Sequence, residues 1–365
     1  MAQGAASAPA LQQGFREQSG PSDQRFSPRR EPHRHTYGAI DLGTNNCRLL
    51  IARPTDGGFT VIDAFSRIVR LGEGLSRTGA LSDDAMDRAV AALSICADKL
   101  RRRNVSLSRS VATEACRRAK NGEEFAERVR EQTGIALDII EPAEEARLAV
   151  LGCHKLLEPG DGPALIFDIG GGSTELVLID QEEGTPKIRA WWSAPWGVVS
   201  LTESEGKEAL EGEDRVAAYK RMRERARHAF SRFEAMLPTK REGIRLLGTS
   251  GTVTTLASVH LALPFYDRRV VDGLHVPIEA MQKISTMIAE MSYEERSALP
   301  CIGTERADLV VAGCAILEAI LDIWPAPRLG VADRGIREGI LRSLMAADVE
   351  GAQARAGLKK LREEG

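Results

Sequence analysis

Two short segments of the sequence combine carboxylates with glycine-rich turns. The first reads AIDLGTNNCRLLIA over residues 39–52, and the second reads IFDIGGGSTELVLI over residues 166–179. Each places an aspartate, Asp41 or Asp168, in an apolar run that ends in glycine and small polar residues, and a second apolar run follows. This pattern predicts one β-hairpin design used twice, 127 residues apart, in two halves that face a common cleft.

The turns of these hairpins have the composition of a phosphate site. Glycine lets backbone amides approach a ligand closely, and serine and threonine add hydroxyl donors. A third segment, LLGTSGTVTTL at 246–256, again alternates glycines with hydroxyl residues. One glycine turn alone is more often a structural hairpin, but three such segments favour phosphate binding. Since carboxylates repel phosphate, Asp41 and Asp168 make chemical sense if a divalent cation lies between them and the ligand.

The composition excludes several other classes of function. The chain has 365 residues, 43% of them hydrophobic and 28% charged, with a formal net charge of −3. This charge gives no general attraction to nucleic acids or acidic membranes. No apolar run has the length of a membrane span. The six cysteines form no C-x-x-C pair, which indicates reduced thiols in a cytoplasmic protein.

Strands and helices alternate along the chain, which predicts an α/β fold. Residues 1–36 are rich in Gly, Pro, Ser and Gln, so we expect a disordered tail there. Residues 37–150 are predicted to form an N-terminal domain and residues 151–346 a C-terminal domain, whose last helix could pack back on the first domain. A polar tail is expected at residues 347–365.

Two local predictions can be compared directly with the structure. Residues 81–103 have the apolar spacing of a helix, and Ser82 precedes two aspartates in the position of an N-cap. Residues 244–257, IRLLGTSGTVTTLA, are predicted to be a strand because of their β-branched and aliphatic side chains.

Several segments, in order, are similar to the exopolyphosphatase and guanosine pentaphosphate phosphatase family, of the superfamily that contains actin, sugar kinases and heat-shock ATPases. They are IDLGTNNCRLLIA, ATEACRRAKN, EPAEEARLAVLG, FDIGGGSTELVL, LGTSGTVTTLA, ERADLVVAGCAIL and VADRGIREGIL, within about residues 37–346. The resemblance implies two actin-like (ribonuclease H-like) domains, with mixed sheets flanked by helices and an active site in the interdomain cleft. The chain ends soon after the last segment and so resembles the short, two-domain form.

The resemblance also implies an activity, namely Mg²⁺-assisted hydrolysis that releases terminal phosphate from polyphosphate or guanosine pentaphosphate. It assigns Glu145 as the catalytic glutamate that orients and deprotonates water, although spacing alone does not separate it from Glu144. Glu175 matches a second functional carboxylate, and Arg117 matches a basic residue that faces phosphate.

The remaining site residues follow from the resemblance and from the composition of the turns. Asp168 matches a metal-binding position, and Asp41 is expected to help hold Mg²⁺. The residues predicted to bind phosphate are Gly43, Thr44, Asn45, Arg48, Gly170, Gly171, Gly172, Ser173, Thr174, Gly248, Ser250 and Gly251.

Two other functions remain open at this point. A phosphotransferase of the same superfamily would need an acceptor pocket and an ATP site, and the segments ATEACRRAKN and EEARL favour hydrolysis instead. A non-catalytic sensor of polyphosphate or guanosine alarmones would keep the phosphate-binding turns without turnover. The sequence does not separate polyphosphate from guanosine pentaphosphate, and analogy with the family leaves a homodimer open.

Overall fold

The computed structural model describes residues 35–160, 162–182, 185–238 and 243–363. The predicted disordered tail therefore lies almost wholly outside the described residues. The described chain forms two mixed β-sheets flanked by helices, as predicted.

The first sheet begins with the first of the two predicted hairpins. Its strands are β1 (Tyr37–Leu42), β2 (Asn46–Thr55), β3 (Gly58–Ile68), β4 (Leu107–Ala112) and β5 (Leu137–Ile139). The spatial order is β3-β2-β1-β4-β5. Antiparallel pairing joins β1, β2 and β3, and parallel pairing joins β1 to β4 and β4 to β5.

The second sheet repeats this arrangement. Its strands are β6 (Ala164–Ile169), β7 (Thr174–Glu182), β8 (Thr185–Ala194), β9 (Arg245–Thr249), β10 (His275–Pro277) and β11 (Arg328–Ala332). The order is β10-β11-β9-β6-β7-β8. From β8 to β11 the strand directions match those of the first sheet, and β10 adds an antiparallel edge. The repeat read from the sequence is therefore confirmed as a repeat of strand topology.

In the described residues of the first half, five helices alternate with the later strands along the chain. They are α1 (Leu75–Thr78), α2 (Asp83–Arg102), α3 (Glu114–Arg118), α4 (Gly122–Thr133) and α5 (Pro142–Cys153). The predicted cap of α2 is confirmed, because the Ser82 side chain accepts a hydrogen bond from the Ala85 amide at 3.3 Å. Pro142 opens α5, where its missing amide proton costs no helical hydrogen bond.

The second half contains more helix than the first. Its helices are α6 (Val198–Glu205), α7 (Lys207–Glu211), α8 (Arg215–Glu234), α9 (Gly251–His260), α10 (Arg268–Val271), α11 (Ile278–Glu290), α12 (Tyr293–Ala298), α13 (Val310–Ile323) and α14 (Ile336–Glu363). Helix α13 is buried along nearly its whole length, packed with α8 and α9 into the largest hydrophobic core. Among the described residues, no helix combines the length and apolar character needed to cross a bilayer.

The strand predicted over 244–257 is wrong beyond Thr249. Strand β9 ends there, the chain turns at Ser250 with φ 149°, and α9 begins at Gly251. The Ser250 side chain accepts from the Val253 amide and caps the helix. Residues 253–258 are all buried inside the second half. Tertiary burial and a helix cap thus override the strand preference of β-branched side chains.

Helix α5 lies between the two sheets. Leu148 and Ala149 pack with the first sheet, whereas Ala146, Val150 and Cys153 pack with the second. The helix is consequently apolar on two sides, and its first turn is fixed by both halves of the molecule.

Helix α14 packs closely against α5 and the first sheet. A Cβ on Gly339 would lie 2.0 Å from the Leu148 carbonyl oxygen, and one on Gly152 would lie 2.0 Å from the Gly335 carbonyl oxygen. Only glycine permits backbones to approach so closely. The C-terminal helix thereby joins residues of the second half to the first, although the exact domain boundary stays a prediction.

Candidate active site

The turns of both hairpins meet at one cavity of about 130 Å³. The same backbone bond closes each turn: the Gly43 amide donates to the Asn46 carbonyl at 2.9 Å, and the Gly170 amide donates to the Ser173 carbonyl at 2.9 Å. The predicted site residues that line this cavity are Asp41, Gly43, Thr44, Asn45, Arg48, Glu145, Asp168, Gly170, Gly171, Gly172, Ser173, Glu175, Ser250 and Gly251.

The glycines of the second turn allow the two halves to touch. A Cβ on Gly171 would lie 2.9 Å from Thr44 Cβ and 3.1 Å from the Asn45 amide nitrogen. A Cβ on Gly172 would lie 2.8 Å from Thr44 Oγ1. Side chains at these positions would push the turns apart and widen the cavity. The run of glycines therefore brings the backbone of both turns to one cavity.

Glu145 lies in the first turn of α5 and is only 6% exposed. Arg117 donates to Glu145 Oε2 at 3.2 Å, and also to Glu114 Oε2 at 2.8 Å and to the Ile140 carbonyl at 2.6 Å. Burial, together with the charge of Glu175, raises the pKa of Glu145 well above its ordinary value, against the opposing effect of Arg117. A buried carboxylate of raised pKa that faces a cavity is suited to act as a general base.

Glu144, the adjacent acid, has a different environment. Arg109 and Arg147 each donate to it at 2.7 Å, and they lower the pKa of Glu144 to about 2. Glu144 is absent from the cavity lining. The geometry therefore separates the two glutamates, which the sequence spacing alone could not do, and it places Glu145 at the cavity.

Glu175 is 2% exposed, and two serines hold its Oε1. Ser173 Oγ donates at 2.7 Å and Ser193 Oγ at 2.9 Å. Burial raises the pKa of Glu175, and the two serine hydrogen bonds partly offset this effect. Both hydrogen bonds fix the carboxylate orientation in the cavity wall.

The two aspartates occupy equivalent positions in the two hairpins. Asp41 pairs with Arg48 across β1 and β2, and Asp168 pairs with Glu175 across β6 and β7. Burial and the charge of Glu175 raise the pKa of Asp168 to about 8. Burial also raises the pKa of Asp41, against the opposing charges of Arg48 and Arg337.

These carboxylates fit a hard divalent cation. Oxygen donors suit Mg²⁺, which proteins usually hold through one or two carboxylates together with substrate phosphates and water. Among the described residues, no group of three His, Cys, Asp or Glu side chains is arranged to coordinate a metal ion by itself. The donor set of Asp41 and Asp168 thus fits a cation whose coordination phosphate oxygens complete.

Three predicted site residues do not line the cavity. Thr174 Oγ1 donates to the Trp196 carbonyl at 2.7 Å, and so the side chain fixes the chain behind the turn. Gly248 lies within β9, where a Cβ would be 2.5 Å from the Phe167 ring. Arg117 reaches the site through the carboxylates of Glu145 and Glu114. We therefore assign packing to the first two and positioning to Arg117.

Other cavity residues had no role in the sequence analysis. Glu114 and Arg306 line the cavity, and Arg306 donates to Thr255 Oγ1 at 3.0 Å. Both lie in segments that carry the family resemblance, ATEACRRAKN and ERADLVVAGCAIL, which is the signal that could have identified them. Ser193, which holds Glu175, lies in β8 and has no such signal.

Comparison with known proteins agrees with the family resemblance of the ordered sequence segments. A model of the Ppx/GppA phosphatase family matches residues 50–348. Exopolyphosphatase 2 of Mycobacterium tuberculosis is 31% identical over 320 residues, which cover 84% of this chain and 97% of that protein.

Solved structures show the same fold. A crystal structure of the Aquifex aeolicus member of the Ppx/GppA family aligns with a TM-score of 0.70 and 32% identity, over 86% of this chain and 98% of that one. An exopolyphosphatase from Cytophaga hutchinsonii aligns with a TM-score of 0.76 at 23% identity, over 86% of this chain and 98% of that one, and supports the fold alone. The resemblance seen in the ordered sequence segments is confirmed, and this protein belongs to the Ppx/GppA phosphatase family.

Proposed function

We propose that this protein hydrolyses the terminal phosphoanhydride bond of inorganic polyphosphate and releases orthophosphate. The observation that carries the proposal is the position of Glu145, a buried carboxylate of raised pKa beside two turns of phosphate-binding type. The Mycobacterium tuberculosis relative is named an exopolyphosphatase, which supports the same substrate.

The residues of the cavity have distinct roles in this mechanism. Backbone amides of residues 44–46 and 171–173, together with Arg48, bind the oxygens of the terminal phosphoryl group, since the Gly43 and Gly170 amides already close the turns. Glu145 orients the attacking water and accepts its proton, and Arg117 fixes the carboxylate. Glu175, held by two serines, lies in the wall beside it. Mg²⁺ at Asp41 and Asp168 would supply charge neutralisation for the phosphoryl oxygens.

Guanosine pentaphosphate is the proposed alternative substrate, because it ends in the same phosphoanhydride group. Glu145 and the two turns recognise only that group, so they do not rank the two substrates. A cytoplasmic location and a homodimer stay predictions from the cysteine pattern and from analogy with the family.

The test is phosphate release, measured in parallel on polyphosphates of several lengths and on guanosine pentaphosphate, with and without Mg²⁺. We expect Mg²⁺-dependent release of orthophosphate from at least one of these substrates. ATP with candidate acceptors is included, because a stable phosphorylated product would identify a phosphotransferase instead. Tight polyphosphate binding without release would identify a sensor and overturn the proposal.

A further inference from the structure

A second cavity of about 40 Å³ adjoins the candidate active site. The two cavities share Asp41, Arg48 and Asp168 in their common wall. The far wall of the smaller cavity comes from the end of β9 and from the turn that leads into α14, and it includes Thr249, Asp333, Arg334, Gly335 and Arg337. A buried water needs roughly 10–15 Å³ of such volume, so the space has room for about three waters or for one small ligand in their place.

Two guanidinium groups in this cavity have no hydrogen-bonding or ion-pair partner among the described residues. Over the ranges of the chain that the structure describes, Arg48 and Arg337 make no hydrogen bond or ion pair through their side chains. The other charged side chains of the far wall are paired: Arg334 with Asp272 at 2.6 Å, and Asp333 with Arg268 at 3.2 Å. Unpaired guanidinium groups in a partly buried site carry a desolvation penalty that an anionic ligand would relieve.

The charges around Arg337 come from several elements. On α14 its neighbour Glu338 is already engaged, since it accepts from Arg268 at 2.8 Å and from the Gly335 amide at 3.0 Å. Asp41 on β1 faces both arginines, but it lies beyond ion-pair distance of either. Burial lowers the pKa of Arg337, against the opposing charge of Glu338, and the nearby charge of Arg48 adds to the lowering. Two like charges are therefore held at one cavity without a direct ion pair among the described residues.

Two helices also begin at this cavity. Ser250, at the N-cap of α9, and Ile336, the first residue of α14, both line it. The N-terminus of a helix carries partial positive charge and free amide donors, which favour an anion. Asp41 and Asp168 form the opposite wall, so an anion here is expected on the arginine side.

We propose that this smaller cavity is a binding site for orthophosphate, separate from the position of the scissile phosphoryl group. Arg337 holds the ion, and Arg48, in the shared wall, joins it when no substrate occupies the active site. The planar guanidinium fork matches phosphate oxygens in bidentate geometry. The choice of orthophosphate rests on the proposed function, because that ion is the product of phosphoanhydride hydrolysis. Bound phosphate lies against the shared wall of the active site, so the site also makes the enzyme sensitive to inhibition by its product.

The test uses inorganic phosphate as the probe and the full-length protein. Calorimetric titration is carried out on the wild type, on Arg337→Met and on Arg77→Met, a matched loss of charge at an exposed residue outside both cavities. We expect Arg337→Met to weaken phosphate binding about tenfold to a hundredfold, as for the loss of a charge-assisted hydrogen-bonding partner. Arg77→Met should bind as the wild type does. The inhibition constant for phosphate in the release assay should rise with the dissociation constant.

Equal phosphate affinity in the wild type and in Arg337→Met would overturn the proposal, as would a wild type that binds no phosphate. If Arg337→Met fails to fold, Arg337→Lys keeps the charge but loses the bidentate fork, and it should also bind phosphate more weakly. Binding is measured without turnover. A protein that hydrolyses none of the tested substrates but loses phosphate binding in Arg337→Met would therefore refute the proposed function and leave this site standing.

Discussion

Adjacent glutamates at the start of α5 show how strongly position determines chemistry at the residue scale. Glu144 lies between two arginines at the surface, which stabilise its ionised form. Glu145 is turned into the molecule, where burial and a second carboxylate destabilise its ionised form. Identical side chains one residue apart thus have pKa values displaced in opposite directions. The raised pKa suits Glu145 to accept a proton, whereas the lowered pKa of Glu144 suits a carboxylate held in ion pairs.

We predict that Glu145→Gln lowers the rate of phosphate release by about a hundredfold or more, because a positioned general base contributes that much. The substitution keeps the size of the side chain and removes a buried charge, so the fold should survive. Phosphate release on the best substrate of the panel measures the effect, and thermal unfolding checks the fold. Glu144→Gln is the matched control and should retain turnover near that of the wild type. Full activity in Glu145→Gln would refute the assignment.

A second prediction concerns pH and the stability contributed by Glu144. Its pKa in the folded protein is about 2, below the ordinary 4.5, so its ion pairs stabilise the fold above pH 4.5. This contribution should be lost as the pH falls from about 4.5 toward 2. Denaturant unfolding of the wild type and of Glu144→Gln should therefore show a less stable variant near neutral pH and a difference that shrinks in acid. A difference independent of pH would contradict the pairing.

At the scale of secondary structure, the packing of α14 on α5 depends on glycine. Gly339 faces the Leu148 carbonyl, and Gly152 faces the Gly335 carbonyl, each without room for a methyl group. These contacts tie the helix that carries Glu145 to the helix that begins beside Arg337. A shift of either helix would disturb both cavities.

We predict that Gly339→Ala lowers the free energy of unfolding by about 1–3 kcal/mol, because the added Cβ would lie 2.0 Å from a backbone oxygen and forces the helices apart. It should also lower turnover, since α5 carries Glu145. Chemical denaturation and phosphate release measure the two effects. Gly58→Ala is the control, because a Cβ there meets nothing within 4 Å. Equal stability of the two variants would show that α14 can move without cost.

Secondary structure could be predicted from the sequence wherever a few consecutive residues, such as a turn, a helix cap or a regular apolar spacing, determine it. The hairpins have glycine turns between apolar runs, and α2 has a serine cap with regular apolar spacing. The strand predicted at 244–257 is confirmed as far as Thr249 and is wrong beyond it, because the β-branched residues that follow are buried within a helix and periodicity cannot report what surrounds a residue. The cap at Ser250 was present in the sequence but lay inside a segment assigned as strand.

At the scale of the whole molecule, two copies of one sheet topology have diverged at the site they share. Asp41 faces Arg48 across its hairpin, whereas Asp168 faces Glu175 at the equivalent position. The first copy thus supplies a positive charge to the cavity, and the second supplies a further carboxylate. The shared sheet topology therefore carries an asymmetric site, because the residues of the two turns differ.

The same duplication explains how much of the site the sequence could reveal. Both hairpin turns were recognisable because the segment that forms each turn is continuous. Ser193 comes from β8, and only the packed structure brings it to Glu175. Arg337 lies in the segment VADRGIREGIL, which carries the family resemblance, but the segment does not show which cavity this residue lines. Non-local contacts of this kind leave no pattern within a single segment.

The last prediction concerns the cation expected between the halves. Four carboxylates line one cavity, the buried Glu145 and Glu175 and the half-buried Asp41 and Asp168, and the pKa of each is raised. Their mutual repulsion across the cleft destabilises the fold in the absence of a cation. A cation that binds the folded state alone stabilises it by mass action. We therefore predict that Mg²⁺ raises the melting temperature of the wild type and that EDTA reverses the shift.

Asp168→Asn separates this effect from general salt stabilisation. At a pH above about 8, where Asp168 is ionised, the substitution removes one of the mutually repelling charges. Without Mg²⁺ the variant should then melt at or above the temperature of the wild type. Added Mg²⁺ should raise the melting temperature of the variant less than that of the wild type, because a proposed ligand of the cation is missing. Surface ions would shift both proteins equally, and K⁺ at matched ionic strength controls for screening. Equal Mg²⁺-induced shifts in the wild type and in Asp168→Asn would show that Asp168 does not hold the cation, and the metal site would then have to lie elsewhere.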